Sequence, residues 1–140
     1  MKVQTSIMMC FALLFLTTVS SHAELAVIVH PSNGAAMDKD AITRIFLGKS
    51  RAFPGGGESI PISFPEGTPE SDEFSQNILG KTPKQLKAYW AKMIFTGKGT
   101  PPKQVPTAQE IVNLIANNPS FIGFVPSASV SGAVKVVGKF

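Results

Sequence analysis

Short β-branched, apolar runs alternate with stretches of helical periodicity along nearly the whole chain, and this alternation constrains the fold more than any other feature. "ELAVIVH" reads as a buried strand ending in the turn-rich "HPSNG". "MDKDAITRIFLGK" follows as a helix, with Asp38 as N-cap, Met37 and Ile42 at the spacing of a hydrophobic staple, and Gly48 as the stop. "IPISF" is a second strand, which Pro61 assigns to an edge or to the strand's first residue. Helices are expected from Thr68 to Gly80, from Thr82 to about Gly97, and from a capping box at Thr107–Glu110 to "NNPS". "FIGFV" and "AVKVV" close the chain as strands, and "KGTPPKQVP" reads as a loop. The order β-α-β-α-α-α-β-β implies crossover connections and a mainly parallel sheet flanked by helices, with an antiparallel edge at the C-terminus.

In such a sheet ligands bind off the carboxyl ends of the strands. Three loops are expected to gather there: His30–Asn33, Ser63–Ser71 and Pro126–Ser129. The second, within "PISFPEGTPESDEF", feeds a strand into a helix through a glycine turn. A helix start leaves N–H groups free and favours anions. Gly67, Thr68, Glu70 and Ser71 are therefore candidate ligand-binding residues, with Ser32 and Asn33 beside the first strand. The same residues are also ordinary helix starters: Thr68 an N-cap, Pro69 a first-turn proline, Glu70 a partner for the helix dipole. Likewise Ser32 and Asn33 are good turn formers first and donors second, and His30, at the same rim, could donate to an anion but reads first as a structural cap on its strand. Leu86, Tyr89, Trp90 and Met93 share one helix side and read as core, with Lys84, Lys87 and Lys92 as its solvated face.

The first 23 residues read as a secretory signal peptide: Lys2, an apolar run from about Ile7 to Leu16, and small residues at Ser21 and Ala23. Residues 24–140 are then one domain, secreted and expected in the periplasm. Cleavage after Ala23 removes the one cysteine, Cys10, so apolar packing and not disulfides must hold the fold. His30 remains as the lone histidine, which argues against a zinc site; no cofactor is expected. Loss of Lys2 leaves twelve basic and nine acidic side chains, a net charge of +3 with lysines spread along the chain. That is no nucleic-acid stripe. One histidine with scattered carboxylates gives no triad, and neither G-x-S-x-G nor the phosphate-cradling P-loop motif occurs, so no enzyme activity is expected.

"LAVIVHPSN", "ITRIFLGKSRAFPGG", "ISFPEGTPESDEF" and "NNPSFIGFVP" together resemble the phosphate-binding, substrate-binding proteins of ABC transporters, in the type II periplasmic-binding-protein-like superfamily. The resemblance covers nearly all of residues 24–140 and corresponds to the later of that family's two lobes. It implies a half-length, single-lobe α/β relative. In the family the strand-to-helix turn sets an arginine, then Asp-Gly-Ser-Gly-Thr, against phosphate. Carried over by position, Gly67 keeps the first glycine and Thr68 a hydroxyl, while Phe64 replaces the arginine, Pro69 the second glycine and Glu70 the threonine.

Two functions follow as expectations. One is a solute-binding-like protein holding phosphate or a related oxyanion at the Thr68 helix start. The other is a non-catalytic interaction or sensing module that has kept the lobe and lost the anion, its former cleft face covered by a homodimer or an envelope protein partner.

Overall fold

The computed structural model describes residues 24–140, so the expected signal peptide lies outside the described residues. Five strands form one sheet: β1 (Leu25–Val29), β2 (Ile60–Ser63), β3 (Lys103–Gln104), β4 (Phe121–Pro126) and β5 (Lys135–Lys139), in the order β3-β2-β4-β1-β5. Four helices accompany it: α1 (Lys39–Phe46), α2 (Pro69–Asn77), α3 (Pro83–Phe95) and α4 (Ala108–Asn117). β2 runs parallel to β3 and to β4, whereas β1 runs against both β4 and β5. Four strands therefore point one way, as expected of a mainly parallel α/β sheet, and β1 alone opposes them. The antiparallel pairing at the C-terminal edge is present, between β5 and β1.

Local chemistry explains the element ends. Asp38 caps α1 by accepting from the Ala41 N–H at 2.8 Å, and Thr68 caps α2. Thr82 and Gln85 form a full capping box at the start of α3, whereas at α4 Thr107 accepts from Glu110 N–H. Pro61 sits inside β2, between two neighbouring strands. It is tolerated because Ile60 donates toward β4 (Ile60 N–H to Ser120 O, 2.8 Å), so the next residue faces the β3 side. There β3 pairs only with Ile62 and Ser63, leaving Pro61 at a local edge. β3 itself was expected as loop. Its two exposed residues, between Pro102 and Pro106, carry no periodicity to read.

The core lies on both faces of the sheet. Phe124 of β4 meets Phe46 of α1 and Phe74 of α2 on one face, and Gly123 meets Ile111 and Ile115 of α4 on the other. Covered on both sides, β1 is buried at all five positions, which is why it reads as an unbroken apolar run.

Candidate functional site

The direction of β1 divides the expected site. Leu25 pairs with Pro126 and Val29 with Ile122, so the carboxyl end of β1 lies beside the amino end of β4. The loop His30–Asn33 is therefore at the opposite end of the sheet from Ser63–Ser71 and Pro126–Ser129. The expectation of three gathered loops is corrected to two. An apolar run does not encode the direction of its strand, and β1 is not sheet neighbour to the strand that follows it. Ser32 and Asn33 do not share a site with Gly67, Thr68, Glu70 and Ser71.

The polar atoms of the far loop mainly serve their own turn. His30 Nδ1 accepts from Ser32 N–H at 3.1 Å and lies 2.7 Å from Ser32 Oγ. Asn33 Oδ1 accepts from Ala35 N–H at 2.9 Å, and Asn33 O accepts from Lys135 Nζ at 3.1 Å.

At the carboxyl end of β2 the chain turns through Gly67, whose φ of +86° favours glycine although a Cβ would meet nothing there. Thr68 Oγ1 donates to Pro65 O at 2.8 Å and accepts from Ser71 N–H at 3.3 Å. Asp72 N–H goes to Thr68 O at 3.0 Å, and Pro69 has no N–H to give. Among the described residues this leaves the amides of Glu66, Gly67 and Glu70 and the hydroxyl of Ser71 as donors without a protein acceptor. The Thr68 hydroxyl is already committed, and the Glu70 carboxylate makes no hydrogen bond to a described residue, so it does not plug the corner.

The corner is acidic. Glu66, Glu70, Asp72 and Glu73 fall within eight residues, and no lysine or arginine occurs between Arg51 and Lys81. Phe64, in the place of the family's arginine, is buried with its ring centroid 5.6 Å from that of Phe124. It is a core residue and offers a ligand no polar group.

Beside the corner lies a cavity of about 300 Å³ that sequence reasoning missed. Phe64, Phe74, Leu86, Trp90 and Ile94 supply apolar walls, and Glu66, Ser71, Lys87 and Gln104 add polar groups. The α3 stripe was its signal, but periodicity does not say whether a stripe is covered. Trp90 is buried, while Leu86, Tyr89 and Met93 are only half-buried, which corrects the expectation of a core stripe. Tyr89 donates to Leu47 O at 2.6 Å, and burial raises its phenol above the ordinary value, so it stays a donor. Among the described residues no group of three or more His, Cys, Asp or Glu is placed to hold a metal. No described helix is long and apolar enough to cross a membrane.

No family model matches the chain, and no curated protein does. Solved structures do. An ABC-type phosphate transport receptor from Vibrio cholerae matches over 82% of this chain and 46% of its own, with a TM-score of 0.63 and 15% identity. A protein described as a phosphate ABC transporter substrate-binding protein from Clostridium perfringens, crystallised with phosphate, matches over 82% and 45%, with a TM-score of 0.63 and 22% identity. PstS from Borrelia burgdorferi matches over 82% and 47%, with a TM-score of 0.58 and 12% identity. The likeness is one of fold: the chain has the architecture of a single lobe of a periplasmic-binding-protein-like protein. It spans about half the length of the structures it matches.

Proposed function

We propose that the protein is an exported, periplasmic, non-catalytic solute-binding module that holds a small oxyanion, phosphate or a close relative, at the start of α2. The observation carrying this reading is the set of free amides at the turn, Glu66, Gly67 and Glu70, with the Ser71 hydroxyl beside them. The shared fold with receptors whose descriptions name phosphate supports the ligand class.

Electrostatics sets the strength. Neutral donors contribute about 0.5–1.5 kcal/mol each, whereas a like charge about 4 Å away opposes by roughly 4 kcal/mol at an effective dielectric near 20. With several carboxylates at the corner and no arginine, binding is weak, with a dissociation constant of about 1 mM. A carboxylate only accepts hydrogen bonds, so Glu70 favours an anion that carries a proton. Hydrogen phosphate is therefore preferred to sulfate.

Calorimetry on the protein recovered from the envelope tests this. Phosphate is expected to bind more tightly than sulfate, and Glu70→Gln is expected to improve both affinities and narrow the difference. Thr68→Ala removes a cap, lowers stability by about 1 kcal/mol and weakens binding only through the helix start. No binding of phosphate by the wild type or by Glu70→Gln overturns the reading. The same preparation tests export: its intact mass is expected to correspond to a chain beginning at Glu24.

A second reading, a module that binds another protein, is favoured by one observation. Ile94 and Phe95 at the end of α3 are 57% and 92% exposed.

A further inference from the structure

The cavity beside the corner has two parts of opposite character. Phe46, Phe64, Phe74 and Trp90 line it from the core and are buried, so its interior is aromatic. Glu66 and Lys87 also line it but are exposed, which puts both charges at its mouth. They come from different elements, Glu66 from the turn after β2 and Lys87 from α3. Among the described residues neither is held in an ion pair or a hydrogen bond. Two opposite charges therefore face one opening without closing on each other.

Size and charge together narrow what can enter. An apolar cavity of about 150 Å³ is enough for benzene. This one holds about 300 Å³, room for one aromatic ring and a short polar head. A simple anion would suit Lys87 but be opposed by Glu66, and a simple cation would meet the reverse. A neutral apolar group would leave both charges unmatched. A ligand with an ammonium and a carboxylate on one carbon satisfies both at once, while its apolar body displaces water from the aromatic interior. The Ser71 hydroxyl and the Gln104 side-chain amide line the same cavity and add hydrogen bonds to such a head.

We propose that this cavity binds a second kind of solute, a free α-amino acid with a large apolar side chain. The side chain enters among Phe64, Phe74 and Trp90, the ammonium pairs with Glu66, and the carboxylate pairs with Lys87. Because the head stays at a solvated rim, neither of its charges is buried without a partner. Each ion pair there is worth a factor of about five in affinity, and burial of the side chain supplies the larger part.

Trp90 is the one tryptophan of the chain and lines the cavity, so its emission reports occupancy directly. The protein recovered from the envelope is titrated in buffer free of phosphate and sulfate, which makes the outcome independent of oxyanion binding. Phenylalanine is expected to change the emission to saturation. Hydrocinnamate, which lacks the ammonium, and phenethylamine, which lacks the carboxylate, are each expected to bind about fivefold more weakly. N-acetylphenylalanine amide, with the ring and neither charge, is expected to bind roughly twentyfold more weakly. Glu66→Gln removes the preference over hydrocinnamate and keeps that over phenethylamine, whereas Lys87→Gln does the opposite. Both side chains are exposed, so neither variant lowers the melting temperature. The proposal is overturned if phenylalanine produces neither an emission change nor calorimetric heat. It is equally overturned if N-acetylphenylalanine amide binds as tightly as phenylalanine, which would mark a socket for a protein side chain, or if neither variant moves the affinity ratios.

Discussion

Phe124→Ala is expected to destabilise the protein by about 3–5 kcal/mol, read as a shift in the urea midpoint with little change in slope. Phe124 is fully buried in the central part of the sheet. Its ring stacks on Phe74 with centroids 3.8 Å apart and an interplanar angle of 3°. Phe46 approaches edge-on at 5.9 Å, and Phe64 is tilted against it at 5.6 Å. The three neighbours come from α1, from α2 and from the end of β2, so no single element can move in to fill the void. Domains of this size have net stabilities of about 5–15 kcal/mol, so one truncation removes a large share. The damage also reaches the candidate site, because Phe64 and Phe74 wall the cavity beside the α2 corner. Phosphate affinity is expected to fall with it.

Gly123→Val is expected to be of similar severity, and Gly123→Ala to cost about 1–3 kcal/mol. Alanine for glycine within a strand ordinarily stabilises, through the lost freedom of the unfolded chain. Here that gain is outweighed. A Cβ on Gly123 would stand 3.0 Å from Ile111 Cγ2 and 3.0 Å from Ile115 Cδ1, with Ile62 O at 3.5 Å. Helix α4 rests directly on the backbone of β4 at this point. The check is a paired substitution: Ile115→Val, which removes the crowding methyl, should recover part of the stability lost by Gly123→Ala and should cost stability alone. A stabilised Gly123→Ala protein would show that α4 can lift away freely.

Capping and periodicity made most elements legible. Asp38, Thr68 and Thr82 mark the starts of α1, α2 and α3 because each offers a side-chain oxygen to a free amide, a local event that a local pattern records. Strand direction is not local. "LAVIV" is the same apolar run whichever way it points, so the placement of Ser32 and Asn33 at the far end of the sheet was hidden until β1 was seen paired with β4 and β5. The cavity was hidden for a related reason. Leu86, Trp90 and Ile94 recur at the spacing of a helix face, but whether that face meets protein or solvent depends on where the end of β2 comes to rest. Gly123 lay within the quoted "FIGFV" run, yet nothing in that run tells a glycine needed for helix contact from one that merely weakens a strand.

The slot that receives β1 is built from residues near the opposite end of the polypeptide, Phe121–Pro126 on one side and Lys135–Lys139 on the other. Until those residues are present, the most buried strand has no edge to join, and pairings so distant in sequence form slowly. A chain passed head-first through a narrow conduit would thus carry its leading strand through loose and unclaimed. In a chain so threaded, this part of the sheet could lock only once β4 and β5 had followed β1.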